Sequence, residues 1–386
     1  MVAELSTAFP PAPAIYDQLT SRRTRFLRVE ELCRRAAEAF PGLLPSAEQL
    51  QAEGSRAQRD KRGIEARQGL FLSEVLADPA AGAHLCHAML LPLPAAQARL
   101  RDYESRGEID LGGARIRREG KASVVTMCNP RFLNAEDEST LEPLETAIDL
   151  ALLDPKSEIC VLRGAPVSHP RYAGKRLFGA GINLTHLYQG KIRYLWYIVR
   201  DLGLVSKLYR GLARPDASPE VDSVEKLWIG AVEGFAIGGH CQILLTLDYV
   251  LATHDAYMTL PARKEGIIPG AANLRLARFV GARVARQAVL AERRIDCASP
   301  GGRLICDEIV AQDEMDSTLQ KTIEGLTGSG VVSAAGNRRA FRISEEPLDS
   351  FRRYMSVYAR EQAHCHFSPA LIANLEKNWN AATRRA

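Results

Sequence analysis

The sequence predicts an α/β core that is preceded and followed by helices. Apolar residues recur at helical spacing before residue 107, short strand patterns then alternate with helical ones, and helical spacing returns over 314–382. Alternation of this kind is typical of an α/β core with crossover helices. A length of 386 residues is enough for two to three domains. We expect an N-terminal helical domain at 1–106, the core at 107–313 and a C-terminal helical region at 314–386.

The N-terminal part is predicted to consist of several amphipathic helices, interrupted by prolines. The charged stretch 52–67 is interpreted as a solvated helix face. No motif in this part carries chemistry of its own. The apolar positions with helical spacing are Ile15, Leu19, Phe26, Leu27, Val29, Leu32, Ala36, Phe71, Leu72, Val75 and Leu76.

Strands and helices are predicted to alternate along the core. A hairpin is expected at 109–116 around the turn Gly112-Gly113, because apolar and polar residues alternate on both sides of it. Further strands are predicted at 122–127, 158–162, 227–232 and 249–253. The helices predicted between them are 136–152, 185–212 and 239–247.

Composition restricts the functional classes. A net charge of +4 gives no strong nucleic-acid footprint, and no apolar run approaches the roughly 18 residues of a membrane helix. The eight cysteines form no C-x-x-C pair and are expected to be reduced, and residues 1–13 resemble no secretory signal, so a cytoplasmic protein is expected. The clusters 84–87 and 364–366 combine His and Cys, but their spacing fits no usual zinc pattern, and we expect no metal site.

Two glycine-containing stretches stand where a strand gives way to a turn or a helix start. They are Phe178–Leu184, with the sequence FGAGINL, and Val232–Gln242, with the sequence VEGFAIGGHCQ. Such turns leave backbone N–H groups facing a cleft, and glycine lets a ligand approach the backbone closely. Taken alone, either stretch is better explained as a tight turn.

The segments that flank these two stretches complete a pattern that is more specific than either stretch alone. Residues 129–135 (NPRFLNA) precede them and residues 260–270 (LPARKEGIIPG) follow. With these four motifs in order, the chain resembles the enoyl-CoA hydratase/isomerase (crotonase) superfamily over roughly residues 120–320. The resemblance implies a spiral of ββα units, a homo-oligomer built from trimers (a trimer or a hexamer), and a site where two backbone amides bind the thioester oxygen of an acyl-CoA.

By motif position, the resemblance assigns the two amides to Ile182 and Gly239. Removing a proton next to a thioester places negative charge on its carbonyl oxygen. Preorganised N–H donors in a dry site stabilise that charge, each by roughly 2.7–4 kcal/mol. The Gly239 donor would gain further from the start of the helix predicted at 239–247.

Hydration is disfavoured as the reaction. Hydratases of the superfamily use two glutamates around a water, and by motif position Gln242 and Ala262 replace them here. An amide cannot take a proton as a general base, and alanine has no suitable group. Glu265 lies three positions past the family position.

Local detail resembles one branch of the superfamily more closely. The segments 264–276, 129–137 and 171–174, together with the helical N-terminal extension, are similar to dioxygenases that act on 3,5-dihydroxyphenylacetyl-CoA in the biosynthesis of dihydroxyphenylglycine for glycopeptide-type antibiotics. The resemblance implies a reaction without metal or flavin, in which coenzyme A is part of the substrate, O2 is the co-substrate and 3,5-dihydroxyphenylglyoxylate is the product.

The resemblance also implies roles for individual side chains. Gln242 is expected to face the substrate Cα and the oxygen pocket, and Glu136 and Arg200 are expected to hydrogen-bond the ring hydroxyls. From the residues alone, Glu136 is about equally well explained as an acidic residue at a helix start. Arg200 could lie on a solvated helix face, and its ring-binding role is favoured only by the resemblance. Further substrate contacts are expected from Arg171, Lys175 and Arg176 at the phosphates, Ala180 and Gly181 at the adenine, and Asn183, Gly238 and His240.

His240 departs from the small residue expected after Gly238 and Gly239. Its imidazole could narrow the pocket, point away from it or act as a base, so the proton acceptor is left open. One alternative function is therefore another crotonase-type reaction, thioester hydrolysis or double-bond isomerisation, with His240 or Glu136 as base. A second alternative is a non-catalytic acyl-CoA binding subunit.

Overall fold

The protein is described by a computed structural model over residues 9–384. The outer ends of the predicted terminal regions, 1–8 and 385–386, lie outside the described residues, as does most of the segment considered for a secretory signal. The part of the chain that is described before residue 107 forms six α-helices. They are α1 (Ala12–Leu19), α2 (Val29–Ala39), α3 (Ala47–Gly54), α4 (Ala66–Ala77), α5 (Pro79–Leu90) and α6 (Pro94–Arg106).

Local sequence explains where these helices begin and end. A proline stands in the first turn of α1, α5 and α6, where its missing N–H costs no helical hydrogen bond. Ser46 caps α3 in a capping box: its Oγ accepts the Gln49 N–H, and the Gln49 Oε1 accepts the Ser46 N–H. Gly107 ends α6 with a φ of 77°, a left-handed conformation that favours glycine.

The core contains a seven-stranded mixed sheet, which agrees with the predicted α/β class. The hairpin and the first core strand are antiparallel, and the strands after them are parallel. Its strands, in their order across the sheet, are β1 (Glu108–Asp110), β2 (Ala114–Glu119), β3 (Ala122–Met127), β4 (Ile159–Gly164), β7 (Leu227–Val232), β9 (Tyr249–Thr253) and β12 (Glu308–Val310).

A second, three-stranded sheet was not predicted from the sequence, because its strands have only two or three residues each. Its members are β8 (Phe235–Ile237), β10 (Tyr257–Thr259) and β11 (Ile295–Asp296), and β8 and β10 run parallel. This pairing positions the second glycine stretch, since Gly238 directly follows β8 and its N–H donates to the Thr259 carbonyl. The short hairpin β5 (Leu212–Ala213) and β6 (Ser223–Val224) completes the strands.

Helices of the core follow the predicted pattern with shifted ends. The predicted helix 136–152 begins at Glu138, because the Asp137 side chain accepts the Ser139 N–H as an N-cap. The non-helical backbone of Gly281 interrupts the helix α13. The core helices are α7 (Glu138–Leu153), α8 (Leu184–Tyr188), α9 (Tyr194–Val199), α10 (Ser206–Arg210), α11 (Gly239–Leu244), α12 (Ala262–Glu265) and α13 (Ala272–Leu290).

The C-terminal region is helical, as expected. Helix α16 packs along α4 and α5, so helices from both ends of the chain share one hydrophobic core. That core also contains Ile182 and residues of α9, and it therefore supports the first glycine stretch from behind. The helices are α14 (Met315–Thr327), α15 (Val331–Glu345), α16 (Leu348–His366) and α17 (Pro369–Trp379).

The cysteines are unpaired, and His84 and His366, outside the core motifs, pack against aromatic rings. All eight cysteines are free thiols. His84 stacks on Phe26 with ring centroids 4.6 Å apart, and His366 is buried against Tyr197 and Phe367. Within residues 9–384 no three His, Cys, Asp or Glu side chains are grouped as metal ligands, and no helix there has the length and apolar character to cross a bilayer.

A buried ion-pair cluster fastens the C-terminal helices to the core. The Glu346 carboxylate, between α15 and α16, accepts from Arg275 at 2.8 Å, from Arg278 at 2.7 Å and from Arg210 at 2.9 Å. Burial alone would raise the pKa of Glu346, but the three guanidinium groups outweigh it and lower that pKa to about 2. The cluster thus joins α10, α13 and the α15–α16 connection.

We predict that Glu346→Gln lowers the free energy of unfolding by about 3–5 kcal/mol at pH 7, because the buried Arg210 and Arg275 and the half-buried Arg278 lose their counter-charge. The carboxylate contributes fully above pH 4.5, the ordinary glutamate value, and its contribution is lost as pH falls toward 2. As pH falls from 4.5 toward 2, the free energy of unfolding should therefore decrease less in Glu346→Gln than in the wild type.

Urea unfolding followed by circular dichroism measures this difference. Glu345→Gln is the matched control, because its neighbouring side chain is half exposed and its ion pair with Arg278 is long, at 3.9 Å. The control should change stability by less than about 1 kcal/mol. Equal effects of the two variants would contradict the assignment of the cluster.

Candidate active site

The two glycine stretches lie against each other in the fold. Gly179 bridges to Ala236, with the Ile237 N–H donating to the Gly179 carbonyl at 3.0 Å. A Cβ at Gly181 would lie 2.8 Å from the Ile237 carbonyl oxygen and 3.3 Å from the Gly239 nitrogen. Glycine at 181, whose φ is +77°, therefore allows the two backbones to touch.

The N–H groups of Ile182 and Gly239 lie at this contact without protein partners. Around them, the Glu136 N–H donates to the Gly181 carbonyl and the Asn183 N–H donates to the Glu136 carbonyl, both at 2.7 Å. Neither Ile182 N–H nor Gly239 N–H donates a hydrogen bond to any residue within 9–384. Buried N–H groups normally have a partner, so two free donors beside one cavity indicate a ligand oxygen.

Arg200 contacts Glu136, Gln242 and the second glycine stretch. It binds both Glu136 oxygens, with its Nε at 2.7 Å and its Nη2 at 2.9 Å. It also donates to Gln242 Oε1 at 2.9 Å, to the Gly239 carbonyl at 2.8 Å and, more loosely, to Asp201 at 3.5 Å. Arg200 is buried, so the alternative of a solvated helix face is wrong.

A turn of π-helix brings Arg200 to this position. Helix α9 continues through the π-helical turn Arg200–Val205 into α10. The wider turn lets the consecutive residues Arg200 and Asp201 both line one cavity. The sequence motifs gave no indication of the π-helical turn or of Asp201.

The carboxylates differ in acidity. Burial tends to raise the pKa of Glu136, but the charge and hydrogen bonds of Arg200 outweigh it and hold that pKa below its ordinary value. Burial dominates at Asp201, whose pKa is raised despite Arg200 and Arg275. Glu136 is thus an ionised hydrogen-bond acceptor at neutral pH.

His240 faces the first glycine stretch. Its Nδ1 accepts the Gly181 N–H at 3.0 Å, and a Cβ at Gly179 would lie 2.2 Å from its Nε2. Burial lowers the pKa of His240 to about 4, so the imidazole is neutral. Of the three possibilities that the sequence left open, the geometry matches a side chain that points away from the cavity, because its accepting nitrogen is occupied and it does not line the cavity.

The cavity between the two glycine stretches is small. It offers about 30 Å³, roughly the space of one or two waters. Predicted site residues Glu136, Ile182, Arg200, Gly238, Gly239 and Gln242 line it, together with Ala262. Lining residues to which the sequence analysis assigned no role in the site are Trp196, Tyr197, Asp201, Glu265, Ile267, Ile268, Pro269 and Tyr358.

An open groove of about 510 Å³ adjoins the cavity, and Ile182 and Glu265 line both. The predicted residues Ala180 and Asn183 line the groove as well. Within residues 9–384 the Ala180 carbonyl accepts no hydrogen bond, which leaves it available to a ligand. The groove residues that sequence reasoning did not assign include Arg131, His169, Tyr172, Trp379 and Arg384.

Several residues that were predicted to contact the substrate lie outside the groove or already bind other groups of the protein. Arg171 and Lys175 are exposed and do not line the groove, and Arg176 is half-buried with its guanidinium 3.3 Å from the Gly164 carbonyl. The Gly181 N–H donates to His240 Nδ1, and the Gly181 carbonyl accepts the Glu136 N–H, so both groups are already paired within the protein. The Asn183 side chain caps α8 and donates to Asp137 at 2.9 Å.

The sequence matches a known family and several known proteins. Residues 117–343 match the model of the family described as enoyl-CoA hydratase/isomerase. The chain is 46% identical over 353 residues to (3,5-dihydroxyphenyl)acetyl-CoA 1,2-dioxygenase of Amycolatopsis orientalis, which covers 91% of this chain and 80% of that protein. It is 24% identical over 233 residues to the short-chain-enoyl-CoA hydratase of Clostridium acetobutylicum, covering 60% of this chain and 82% of that protein.

Solved structures share the fold. An enoyl-CoA hydratase from Mycobacterium avium subsp. paratuberculosis superposes with a TM-score of 0.56 at 19% identity, covering 71% of this chain and 98% of that one. An enoyl-CoA hydratase/isomerase from Xanthobacter autotrophicus gives a TM-score of 0.57 at 18% identity, covering 70% and 94%. The matched family model spans more than half of the chain, and the chain therefore belongs to the enoyl-CoA hydratase/isomerase (crotonase) family.

Proposed function

We propose that the protein is a dioxygenase that converts 3,5-dihydroxyphenylacetyl-CoA and O2 into 3,5-dihydroxyphenylglyoxylate and coenzyme A. The observation that carries the proposal is the pair of free N–H groups at Ile182 and Gly239, which border a cavity lined by Glu136 and Arg200. The relative at 46% identity, whose name states this substrate and this reaction class, supports the choice within the family.

The reaction begins when the Cα proton of the arylacetyl thioester is removed. The electron pair moves to the thioester oxygen, where the two N–H groups stabilise the negative charge of the enolate. The electron-rich enolate gives an electron to O2, and a peroxide forms at Cα. The peroxide attacks the thioester carbon, and coenzyme A leaves as its thiolate. The O–O bond then breaks as the second Cα proton is lost, so that Cα becomes the keto carbon and the former thioester carbon becomes the carboxylate. Both oxygen atoms enter the product, and in this proposal neither a metal nor a flavin takes part.

Glu136 and Arg200 suit the recognition of two ring hydroxyls, since one accepts hydrogen bonds and the other donates them. In the described structure they bind each other instead, at 2.7 and 2.9 Å. Because the cavity has room for only one or two waters, the side chains around it must shift when an aryl ring enters. Gln242 would then face Cα and the oxygen.

The adjoining groove would hold the coenzyme A portion. Arg131 and Arg384 line it, and Arg171 and Lys175 are exposed nearby in the chain, so the groove is bordered by positive charge that suits the phosphates. The free Ala180 carbonyl can accept from the adenine amino group. Assembly into trimers or hexamers stays a prediction of the family resemblance.

We predict oxygen uptake with 3,5-dihydroxyphenylacetyl-CoA, one O2 for each coenzyme A released, that persists in the presence of a metal chelator. An oxygen electrode and a thiol reagent measure the two quantities. Coenzyme A release without oxygen uptake would favour a thioester hydrolase. Tight binding of coenzyme A with no turnover of any arylacetyl thioester would favour a binding subunit.

We predict that Gly239→Ala lowers kcat of this reaction by about 10²–10³-fold, the effect expected when one oxyanion donor is lost. The added Cβ would lie 2.2 Å from Glu136 Oε2 and 2.8 Å from Arg200 Nη2, so either this ion pair or the second glycine stretch must shift. Gly336→Ala is the matched control, because a Cβ there meets nothing within 4 Å. Steady-state kinetics should show the control at the wild-type rate; a fully active Gly239→Ala enzyme would argue against the donor.

We predict that Arg200→Lys weakens discrimination between 3,5-dihydroxyphenylacetyl-CoA and phenylacetyl-CoA by about ten- to a hundredfold. An ammonium cannot reproduce the forked contacts to Glu136, and one charge-assisted hydrogen bond corresponds to about 1.5–3 kcal/mol. Binding is measured by calorimetry without oxygen. Arg193→Lys, an exposed position with ion pairs to Glu30 and Glu138, should leave the ratio unchanged. An unaltered ratio in Arg200→Lys would remove Arg200 from ring recognition.

A further inference from the structure

The proposed reaction requires a group that takes the Cα proton, and the family motifs supply none. Three carboxylates line the cavity: Glu136, Asp201 and Glu265. Glu136 is held on both oxygens by Arg200, and that pairing makes it a weak base. Asp201 faces Arg200 at 3.5 Å and has Arg275 nearby. His240 is excluded, because its accepting nitrogen binds the Gly181 N–H.

Glu265 differs from the other two carboxylates. It is the last residue of α12, and Gly266 follows it with a φ of +83°, which ends the helix at the cavity wall. Its side chain is buried, with an exposure of 4%, yet it makes no hydrogen bond or ion pair with any residue within 9–384. A buried carboxyl group without a partner is costly, and its retention in a cavity indicates a function.

The position of Glu265 matches the site of proton removal. Glu265 and Ile182 both line the cavity and also the groove, so they lie where the two spaces meet. The Ile182 N–H is one of the two proposed donors to the thioester oxygen, and the thioester carbonyl would therefore occupy this boundary. Cα is one bond from the carbonyl carbon, within the same region.

The acidity of Glu265 suits a base at neutral pH. Burial raises its pKa to about 7, and a base with a pKa near the working pH combines a sufficient ionised fraction with sufficient basicity. Tyr197 is the neighbour whose own pKa the Glu265 charge helps to raise. No cation within the described residues is paired with Glu265 that would lower its basicity.

We propose that Glu265 is the catalytic base of this enzyme, an inference that depends on the proposed function. The Cα–H bond breaks, the proton goes to a Glu265 carboxylate oxygen, and the electron pair moves through the Cα–carbonyl bond to the thioester oxygen between Ile182 and Gly239. The products of this step are a protonated Glu265 and the enolate. No oxidant takes part in it.

The test separates deprotonation from oxygen chemistry. 3,5-Dihydroxyphenylacetyl-CoA is incubated with the full-length enzyme in D2O without oxygen, and exchange of the Cα hydrogens is followed by NMR. We expect rapid exchange with the wild type and a loss of about 10²–10⁴-fold in Glu265→Gln, the range for a removed general base. Glu265→Asp should retain part of the exchange. Glu142→Gln, the same change at an exposed position on α7, should exchange at the wild-type rate.

The pH profile and thermal stability show that the effect is catalytic. Wild-type exchange should fall as pH drops below about 7, because Glu265 becomes protonated, and Glu265→Gln should lack this inflection. The raised pKa means that ionised Glu265 destabilises the folded state. This loss of folding stability grows from pH 4.5 to above 7. Glu265→Gln should therefore melt at a higher temperature than the wild type at pH 8, which shows that the variant is folded.

Exchange at the wild-type rate in Glu265→Gln would overturn the assignment, as would a loss matched by an equal loss of substrate affinity. Failure of the proposed function has a different signature. Wild-type exchange without oxygen uptake on exposure to air would reject the dioxygenase and leave Glu265 as the base of another enolate reaction. Oxygen uptake retained in Glu265→Gln would reject the base and leave the dioxygenase.

Discussion

The candidate site depends on one buried guanidinium group. Arg200 binds both carboxylate oxygens of Glu136, the Gln242 amide and the Gly239 carbonyl, so one side chain fixes an acid, an amide and the second glycine stretch. A planar fork with five donors can serve this many acceptors at once, and a point charge cannot. Because Arg200 is buried beside Glu136, its charge also keeps Glu136 ionised despite the burial of that carboxylate.

Helices from both ends of the chain hold this arrangement from behind. The N-terminal helices, α9 and α16 share one hydrophobic core, and Ile182 belongs to it. Tyr358 extends the wall of the cavity from α16, and Trp379 of α17 lines the groove. The helical additions to the α/β core are therefore part of the site as well as of the fold. Their contacts explain why the cavity is narrower than an aryl ring requires.

Sequence patterns predicted the main strands and the two glycine stretches because each depends on local residue order. Strands β3, β7 and β9 match their predicted bounds, and the family motifs brought Ile182, Gly239, Glu136 and Arg200 to one place. The π-helical turn after α9, the second sheet and the burial of Glu265 depend on tertiary packing, which no local pattern encodes. That the Glu265 carboxylate has no partner among residues 9–384 likewise depends on which side chains surround it in the fold.

The contact between His240 and Gly179 links two positions far apart in the chain. The imidazole fills the volume that any side chain at 179 would need, and it also accepts the N–H of Gly181. Residues 179 and 240 thus share one fixed volume. In a homologue with a small residue at 240, this volume beside residue 179 is left open, and the Gly181 N–H needs a different acceptor. The side chain at 240 therefore controls both the space beside residue 179 and the hydrogen bonding of residue 181, although neither 179 nor 240 lines the cavity or the groove.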